Sequence, residues 1–335
     1  MSRARRIADA CARNGGPLLP HLTTHLTTRD AARDLDRIRR ALGEDKISAW
    51  GVSYGTYVGT VYATMFPHRT DRIVLDSNND PDPRRVARGW AANYAVGVED
   101  RFPDFAAWAA ARHPEYGLGA DAAAVREAFL RLAADLDRHP IPWPGALPPE
   151  LAGKELRDIM LGALYSDANF ARLAGLMRAA RAGGPLPAPP RLDEAAIQHT
   201  GAVAGATICN DVAWPRSIER HRRDVRANRA AHPLTAGMPV NIGPCSFWHQ
   251  PAEPPTRVTS KGPSNILLIQ NLRDPATPYS GALKLLRAFG DRARMVTVDS
   301  GGHGVYLANG NACGDRAVTA FLAGGAAENL TCPAE

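Results

Sequence analysis

A Gly-x-Ser-x-Gly pentapeptide, Gly51 to Gly55, lies between a short apolar strand pattern and a helix pattern. The two glycines leave room for a strand-to-helix turn so sharp that Ser53 is held at strained backbone angles, with its hydroxyl at the tip. The pentapeptide alone also occurs in ordinary loops, so the flanking strand and helix carry the inference. The segment predicts a nucleophilic serine at Ser53, with the backbone N–H of Tyr54 as one donor of an oxyanion hole.

Two later segments supply the partners that such a serine needs. The apolar run 265–270 has strand length and continues into a proline-rich loop that contains Asp274, and the strand pattern 293–299 continues into a glycine loop around His303. The chain order serine, acid, histidine is that of the α/β hydrolases. It predicts that His303 takes the proton from Ser53 Oγ and that Asp274 fixes the tautomer of the imidazole.

Other residues compete for both roles. Asp299 precedes His303 by four residues on the same predicted strand, where its side chain would reach Nδ1 with difficulty. Asp76 and Asp80 follow the strand pattern 71–75, at an alternative acid position known in some α/β hydrolases, although they also fit turn or helix-cap residues. The other histidines do not follow a strand into a glycine loop: His21, His25, His68, His113, His139, His199, His221, His232 and His249.

A series of short motifs is spread over almost the whole chain. They are Gly51–Thr56, Tyr62-Ala63, Phe66-Pro67, Val74–Ser77, Ile208–Asp211, Trp214-Pro215, Pro244–Trp248, Arg273–Pro278, Gly301–Gly304, Asn311–Cys313 and Thr331-Cys332. In these motifs the chain resembles the tripeptidyl aminopeptidase group of secreted bacterial α/β hydrolases, whose C-terminal section is called the TAP-like domain. The resemblance implies an extracellular or cell-envelope exopeptidase without a cofactor, which releases short peptides or single residues from a peptide substrate with a free N-terminus.

The same resemblance implies two disulfides, Cys209–Cys245 and Cys313–Cys332, and leaves Cys11 over. Each disulfide would close a loop of about 20 to 40 residues and stabilise the fold by about 3 to 4 kcal/mol in the chain-entropy model. The five cysteines lack the close paired spacing of a zinc site, so no metal is expected. Buried free thiols in a cytosolic enzyme are the alternative interpretation.

The predicted fold class is α/β: an α/β-hydrolase fold with an N-terminally incomplete parallel sheet and a helical lid insertion. In the family, four strands precede the strand that carries the nucleophile. Here that region is mostly helical, with Leu35, Ile38 and Leu42 on one face of a helix. The chain is therefore expected to begin inside the fold, which leaves the strand before Ser53 as an exposed edge. Gly15-Gly16-Pro17 is interpreted as a linker turn, not as the family's Gly-Gly-Pro-Gly loop that supplies a second oxyanion donor.

Three segments are expected: residues 1–82 as the N-terminal part of the hydrolase core, 83–205 as the lid, and 206–335 as the C-terminal TAP-like part of the core. Helical stripes in the lid predict core packing, and they are Val125, Phe129, Leu132 and Leu136; Leu156, Ile159, Met160 and Ala163; and Phe170, Leu173, Leu176 and Met177. An aminopeptidase lid should offer carboxylates to a substrate ammonium. Asp211, Glu99 and Asp100 are the candidates, against a plainer interpretation as cap or surface acids.

Composition limits the partners of the chain. The net charge is +6 and the pI is about 9.2, but the basic residues are dispersed and mostly paired with acids, so nucleic acid is not expected. No apolar run approaches the roughly 18 residues of a membrane span, and no hydrophobic segment follows Met1–Arg6 as in a signal peptide. A carboxylesterase with the same triad and a truncated, inactive relic remain the alternatives to an exopeptidase.

Overall fold

The computed structural model describes residues 2–13, 25–189, 193–249, 251 and 253–335. Its centre is a parallel sheet of five strands in the order β1-β2-β5-β6-β7. The strands are β1 (Ile47–Val52), β2 (Thr70–Asp76), β5 (Ile266–Arg273), β6 (Ala293–Gly301) and β7 (Leu330–Cys332). A separate antiparallel ribbon pairs β3 (Ile141–Pro142) with β4 (Glu150–Leu151).

Helices pack on both faces of the sheet, as the predicted α/β-hydrolase class requires. They are α1 (Ser2–Arg13), α2 (Thr28–Ala41), α3 (Tyr54–Met65), α4 (Arg88–Ala110), α5 (His113–Tyr116), α6 (Ala122–Arg138), α7 (Gly153–Ala163), α8 (Phe170–Ala182), α9 (Glu194–Asp211), α10 (Ile218–Ala231), α11 (Tyr279–Phe289) and α12 (Ala312–Leu322). Short 3₁₀ turns lie at Pro67–Arg69, Asp167–Asn169, Met238–Val240, Pro244–Phe247 and Gly290–Arg292.

The sheet is buried on both faces because its central strands are continuous apolar runs. Residues 266–269 of β5 are almost completely buried, as expected for a parallel strand between two helical layers. Helices α3 and α11 cover one face, and α12 covers the other. Parallel pairing places Val52 opposite Asp76 and Asp76 opposite Ile269, so the carboxyl ends of β1, β2 and β5 meet at one edge. The candidate site lies at this edge.

A second apolar core lies among helices α4 to α8, called the helical cluster (residues 88–182) below. The buried rings of Phe102, Phe105, Phe129 and Phe170 contact one another in it. The three predicted stripes are buried in this core, apart from Ile159, which is partly exposed. The segment boundaries at 82 and 205 remain predictions.

The helical cluster rests directly on the loop that follows β5. A Cβ atom on Gly97 of α4 would come within 2.4 Å of the carbonyl oxygen of Pro275 and 2.7 Å of that of Asp274. Only a glycine allows this approach of two backbones. The helix is therefore seated on the residue predicted to be the acid of the triad.

Both cysteine pairs that the family resemblance implied are disulfides in the structure. Cys209–Cys245 joins the end of α9 to the 3₁₀ turn 244–247, and Cys313–Cys332 joins α12 to β7. Cys11 is free and partly buried. The short strand β7 was not expected from the sequence.

Helix α2 follows its predicted span, and of the three apolar residues predicted to share one face, Leu35 is partly buried against the core while the other two are exposed. Ile38 is 55% exposed and Leu42 is 68% exposed. The helix instead buries Asp36 and Arg39, whose side chains form an ion pair of 2.8 Å on the inner side. Trp50 on β1 is also half exposed, because β1 is an edge strand of the described sheet.

The segment Gly15-Gly16-Pro17 lies outside the described residues. In the described ranges, no helix is both long enough and apolar enough to cross a membrane. Within the same ranges, no three or more His, Cys, Asp or Glu side chains gather in a group that could hold a metal ion.

Candidate active site

Ser53 stands alone between the last residue of β1 and the first residue of α3. Its backbone has φ 57° and ψ −118°, in a region that a non-glycine residue rarely adopts. The turn closes so tightly that a Cβ atom on Gly51 would lie 2.5 Å from the carbonyl oxygen of Gly55. The sequence can make this turn because position 51 carries no side chain.

Neighbouring groups hold the strained serine in place. The Ser53 N–H donates to the carbonyl oxygen of Asp76 at 3.0 Å. The Ser53 carbonyl oxygen accepts from the N–H and the hydroxyl of Thr56, at 2.9 and 2.6 Å, and from Asn79 Nδ2 at 2.8 Å. Four hydrogen bonds thus fix the backbone of one residue, as expected where strain is stored at a functional turn.

Asp274 and His303 form the second part of the site. His303 Nδ1 lies 3.0 Å from Asp274 Oδ2 and 3.1 Å from Asp274 Oδ1. Asp274 is buried, and its oxygens also accept from the N–H groups of Ala276 and Thr277 and from the Thr277 hydroxyl. A carboxylate held on this side of the ring favours the proton on Nδ1, which leaves Nε2 as the acceptor.

The pKa of His303 lies above its ordinary value. Burial lowers this pKa, but the hydrogen bond and the negative charge of Asp274 outweigh the burial, and the charge of Asp76 adds to them. A base with a raised pKa is suited to accept a proton from a serine hydroxyl near neutral pH.

The loop after His303 is anchored to the same strand end as the serine. The N–H groups of Val305 and Tyr306 donate to the two carboxylate oxygens of Asp76, each at 2.9 Å, and the Gly304 N–H donates to Ser77 Oγ at 2.9 Å. Asp76 therefore contacts both the serine turn and the histidine loop. Among the contacts of the described residues there is no hydrogen bond between Ser53 Oγ and His303.

The helical cluster contributes an aromatic wall. Between α7 and α8, the carbonyl oxygen of Tyr165 accepts the N–H of His303 at 3.0 Å, and the two ring centroids are 4.8 Å apart. The Tyr165 hydroxyl lies 3.4 Å from the Tyr94 hydroxyl on α4. Sequence reasoning missed Tyr165, because no local pattern marks a residue that meets the site only through tertiary packing.

The N–H of Tyr54 lies in the first turn of α3, where N–H groups have no partner within the helix. The phenol of Tyr54 lies 2.7 Å from Thr28 Oγ1. Thr28 in turn donates to Asp211 from its N–H at 2.8 Å and from its hydroxyl at 2.6 Å. Burial raises the pKa of Asp211, although the Thr28 bonds oppose the rise. Asp211 is thus connected by hydrogen bonds through Thr28 to Tyr54, the residue that follows Ser53.

Asp211 also lines a cavity of about 150 Å³, together with Thr28, Arg29, Tyr57 and Glu253. The other two candidate acids, Glu99 and Asp100, lie on α4. Glu99 pairs with Arg126 of α6 at 2.8 Å, and burial together with the Glu99 charge raises the pKa of Asp100. Within the described residues, neither acid forms a hydrogen bond or ion pair with Ser53, Asp274 or His303; Glu99 instead bonds Arg126 and the N–H of Leu234.

The rival acids have other partners. Asp299 pairs with Arg273 at 2.7 Å. Asp80 is buried and pairs with Arg85 at 3.0 Å and Lys284 at 2.6 Å. The sequence had suggested that Asp76 is a turn or helix-cap residue. In the structure it is instead the last residue of β2, and its carboxylate binds the loop after His303. In the described residues, only Asp274 of these acids contacts His303 Nδ1.

Comparison with known proteins finds two family models that match the chain. Residues 9–120 match the family model "alpha/beta hydrolase fold", and residues 231–332 match the family model "TAP-like protein". The chain is 35% identical over 341 residues to "Tripeptidyl aminopeptidase" of Streptomyces coelicolor, covering 98% of this chain and 61% of that protein.

Two further relatives carry different names. "Serine protease Hip1" of Mycobacterium bovis is 32% identical over 321 residues, covering 90% of this chain and 60% of that protein. "Carboxylesterase B" of Mycobacterium tuberculosis is 28% identical over 338 residues, covering 96% of this chain and 62% of that protein. The chain thus spans about three-fifths of the length of the curated relatives that it matches.

The parallel sheet, the strained serine turn and the matched fold model make the chain an α/β hydrolase. Within that class, residues 231–332 match the TAP-like model, and the chain is similar over 98% of its length to the Streptomyces proteins named tripeptidyl aminopeptidase.

Proposed function

We propose that this protein is a serine hydrolase, in which Ser53 is the nucleophile, His303 the general base and Asp274 the residue that orients the base. The proposal rests mainly on the pairing of His303 Nδ1 with the buried Asp274 carboxylate, at the same sheet edge as the strained Ser53. The family match supports the same reaction class.

The proposed reaction proceeds through an acyl-enzyme. His303 Nε2 takes the proton of Ser53 Oγ as the oxygen attacks the substrate carbonyl, and the Tyr54 N–H stabilises the oxyanion that forms. His303 then gives the proton to the leaving amine. A water molecule, activated by the same imidazole, releases the acyl group and restores Ser53.

The proposed substrate is a peptide with a free N-terminus, from which the enzyme releases a short peptide or a single residue. The name of the Streptomyces relatives supports this specificity. Of the three candidate acids, Asp211 has the most support as a partner of the substrate ammonium, because Thr28 and Tyr54 connect it to the serine turn. Glu99 and Asp100 have no comparable connection in the described contacts. We also propose an extracytoplasmic location, supported by the two disulfides.

A fluorophosphonate probe tests the nucleophile. We expect covalent labelling of the wild-type chain and none of Ser53→Ala. Ser48→Ala is the matched control, because Ser48 lies on the strand that leads to Ser53 and its hydroxyl bonds Asp71 at 2.9 Å and the N–H of Arg72 at 3.3 Å, near the start of β2. A folded wild-type chain that the probe does not label would favour the inactive relic. Equal labelling of Ser53→Ala and the wild type would show that the nucleophile is another residue.

A carboxylesterase is the second candidate, because one relative carries that name. A tripeptide p-nitroanilide with a free amine, compared with its N-acetylated twin, separates the two functions. We expect faster cleavage of the free amine, and a higher KM for it alone in Asp211→Asn. Equal cleavage of both compounds would end the aminopeptidase proposal while leaving the hydrolase intact.

A further inference from the structure

Asp76 is a completely buried carboxylate that the proposed reaction does not use. It is the last residue of β2, and β2 lies between β1, which leads to Ser53, and β5, which leads to Asp274. An ionisable group in such a place needs hydrogen-bond partners for both of its oxygens.

The hydrogen bonds of Asp76 point in two directions. Its carbonyl oxygen accepts the N–H of Ser53, while Oδ1 accepts the N–H of Val305 and Oδ2 accepts the N–H of Tyr306. The Ser77 hydroxyl extends the link, since it donates to Asp76 Oδ1 at 3.1 Å and accepts the N–H of Gly304. Three consecutive N–H groups after His303 are thus held by two residues at the end of β2.

The backbone around this link is strained on both sides. Ser77 has φ 59° and Leu307 has φ 56°, which non-glycine residues adopt only when their surroundings hold them there. The loop 305–309 also departs from helical geometry at Tyr306 and Leu307. The position of the histidine loop therefore depends on the bonds to Asp76 more than on a local preference of the loop.

We propose that Asp76 is a positioning residue that fastens the loop of His303 to the turn of Ser53 and so sets the separation of base and nucleophile. This inference rests on the proposed triad. The carboxylate of Asp76 holds the loop after His303, and its backbone carbonyl oxygen holds the turn of Ser53. A displacement of the loop would therefore break charge-assisted hydrogen bonds.

This role differs from that of the acid in the triad. Both carboxylate oxygens of Asp76 are occupied by backbone N–H groups, and His303 Nδ1 is occupied by Asp274. Among the described residues, the titratable groups that act on or contact the imidazole are Asp274 at the end of β5, Asp76 at the end of β2 and Tyr165 of the helical cluster. Removal of the Asp76 charge therefore leaves the hydrogen bond to Nδ1 in place.

The test uses Asp76→Asn, which keeps the shape but turns one acceptor oxygen into a donor facing an N–H group. Asp71→Asn is the matched control, because Asp71 lies on the same strand, near its start, and contacts Ser48 and Arg72. Amide hydrogen exchange and NMR titration of labelled histidine are measured in the wild type and in both variants. Neither measurement needs turnover, so the outcome is separate from that of the proposed function.

In Asp76→Asn we expect exchange at Val305 and Tyr306 to be about 10-fold faster or more, and the pKa of His303 to fall. Asp71→Asn should match the wild type in both. Wild-type protection at these amides, or an unchanged pKa of His303, would overturn the proposal. If Asp76→Asn does not fold, Ser77→Ala decides: faster exchange at Gly304 and Val305 supports the link, and wild-type exchange refutes it.

Discussion

The imidazole of His303 lies against the ring of Tyr165, with the ring centroids 4.8 Å apart, and the backbone N–H of His303 donates to the Tyr165 carbonyl oxygen at 3.0 Å. Tyr165 belongs to the segment between α7 and α8, so a residue of the helical cluster contacts the base. Asp76 and Ser77, at the end of β2, bond the N–H groups of the residues that follow His303. The base is thus clamped between two parts of the fold.

Removal of the Tyr165 ring should disturb the base more than removal of its hydroxyl. Tyr165→Ala should slow fluorophosphonate labelling of Ser53 by about 10- to 100-fold, because a small misplacement of a catalytic group has effects of that size. Tyr165→Phe keeps the ring contact and should react within about 3-fold of the wild type. Equal rates for the two variants would show that the ring does not position His303.

Two glycines of the pentapeptide should respond in opposite ways to the same change. A Cβ at Gly51 would collide with backbone atoms of Gly55 and Thr56, so Gly51→Ala should destabilise the fold by about 1–3 kcal/mol or more and abolish labelling of Ser53. Gly55→Ala meets nothing within 4 Å and lies in α3, so it should leave stability unchanged or raise it by about 0.5–1 kcal/mol. Urea denaturation measures both. A well-folded, reactive Gly51→Ala would refute the tight turn.

The buried guanidinium of Arg101 links the helical cluster to the sheet. Asp104 pairs with Arg101 and also with Arg273, 2.8 Å away, which precedes Asp274. Asp104→Ala should cost about 1–3 kcal/mol of folding free energy, because it leaves a buried charge less compensated. Asp135→Ala removes a similar i,i+3 pair with Arg138 at the surface and should cost no more than about 0.5 kcal/mol. Equal losses would mean that the Arg101 network contributes no more than an exposed pair.

The core strands β2, β5 and β6 could be predicted because each contains a short apolar stretch rich in Ile, Leu or Val, as burial between two helical layers favours, and the structure places them within about three residues of the expected bounds. Strand β7 could not be predicted, since its three residues are too short for periodicity and its position comes from pairing with β6. Apolar spacing located the buried side of α2 only in part, because Leu35 is partly buried and Ile38 and Leu42 are exposed. The buried ion pair of Asp36 and Arg39 has no signal in that spacing.

At the candidate site, too, some residues could be predicted from local sequence and others could not. Ser53, Asp274 and His303 each follow a strand and carry glycine or proline neighbours, so local sequence marks them. The contact between Asp76 and Val305 joins residues 229 positions apart, and no local sequence pattern near either residue predicts it. Tyr165 lies in an equally unmarked segment. Side chains that position a site through long-range contacts are therefore the part that only a structure supplies.

The disulfide between α12 and β7 should stabilise the edge of the sheet. Cys313 and Cys332 are 19 positions apart, and a loop of that length is worth about 3 kcal/mol in the chain-entropy model. Cys313→Ser with Cys332→Ser should lower the free energy of unfolding in urea by about that amount. Reductant should lower the free energy of unfolding of the wild type more than that of the double variant, because in the double variant only the Cys209–Cys245 disulfide remains to be reduced. A double variant as stable as the wild type would contradict the expectation.

The raised pKa of His303 gives opposite pH dependences for reactivity and stability. Burial lowers this pKa, but the bond and charge of Asp274 and the charge of Asp76 raise it above 6.5 overall. Reactivity needs the neutral imidazole, so the labelling rate should rise with pH through a midpoint above 6.5. The stability that the charged imidazole contributes is complete below the unfolded-state pKa and is lost as pH rises through the folded-state pKa. Asp274→Asn should move the midpoint down and slow labelling strongly, by about 10⁴-fold. A wild-type midpoint below 6.5, or one that Asp274→Asn leaves in place, would show that Asp274 does not control the base.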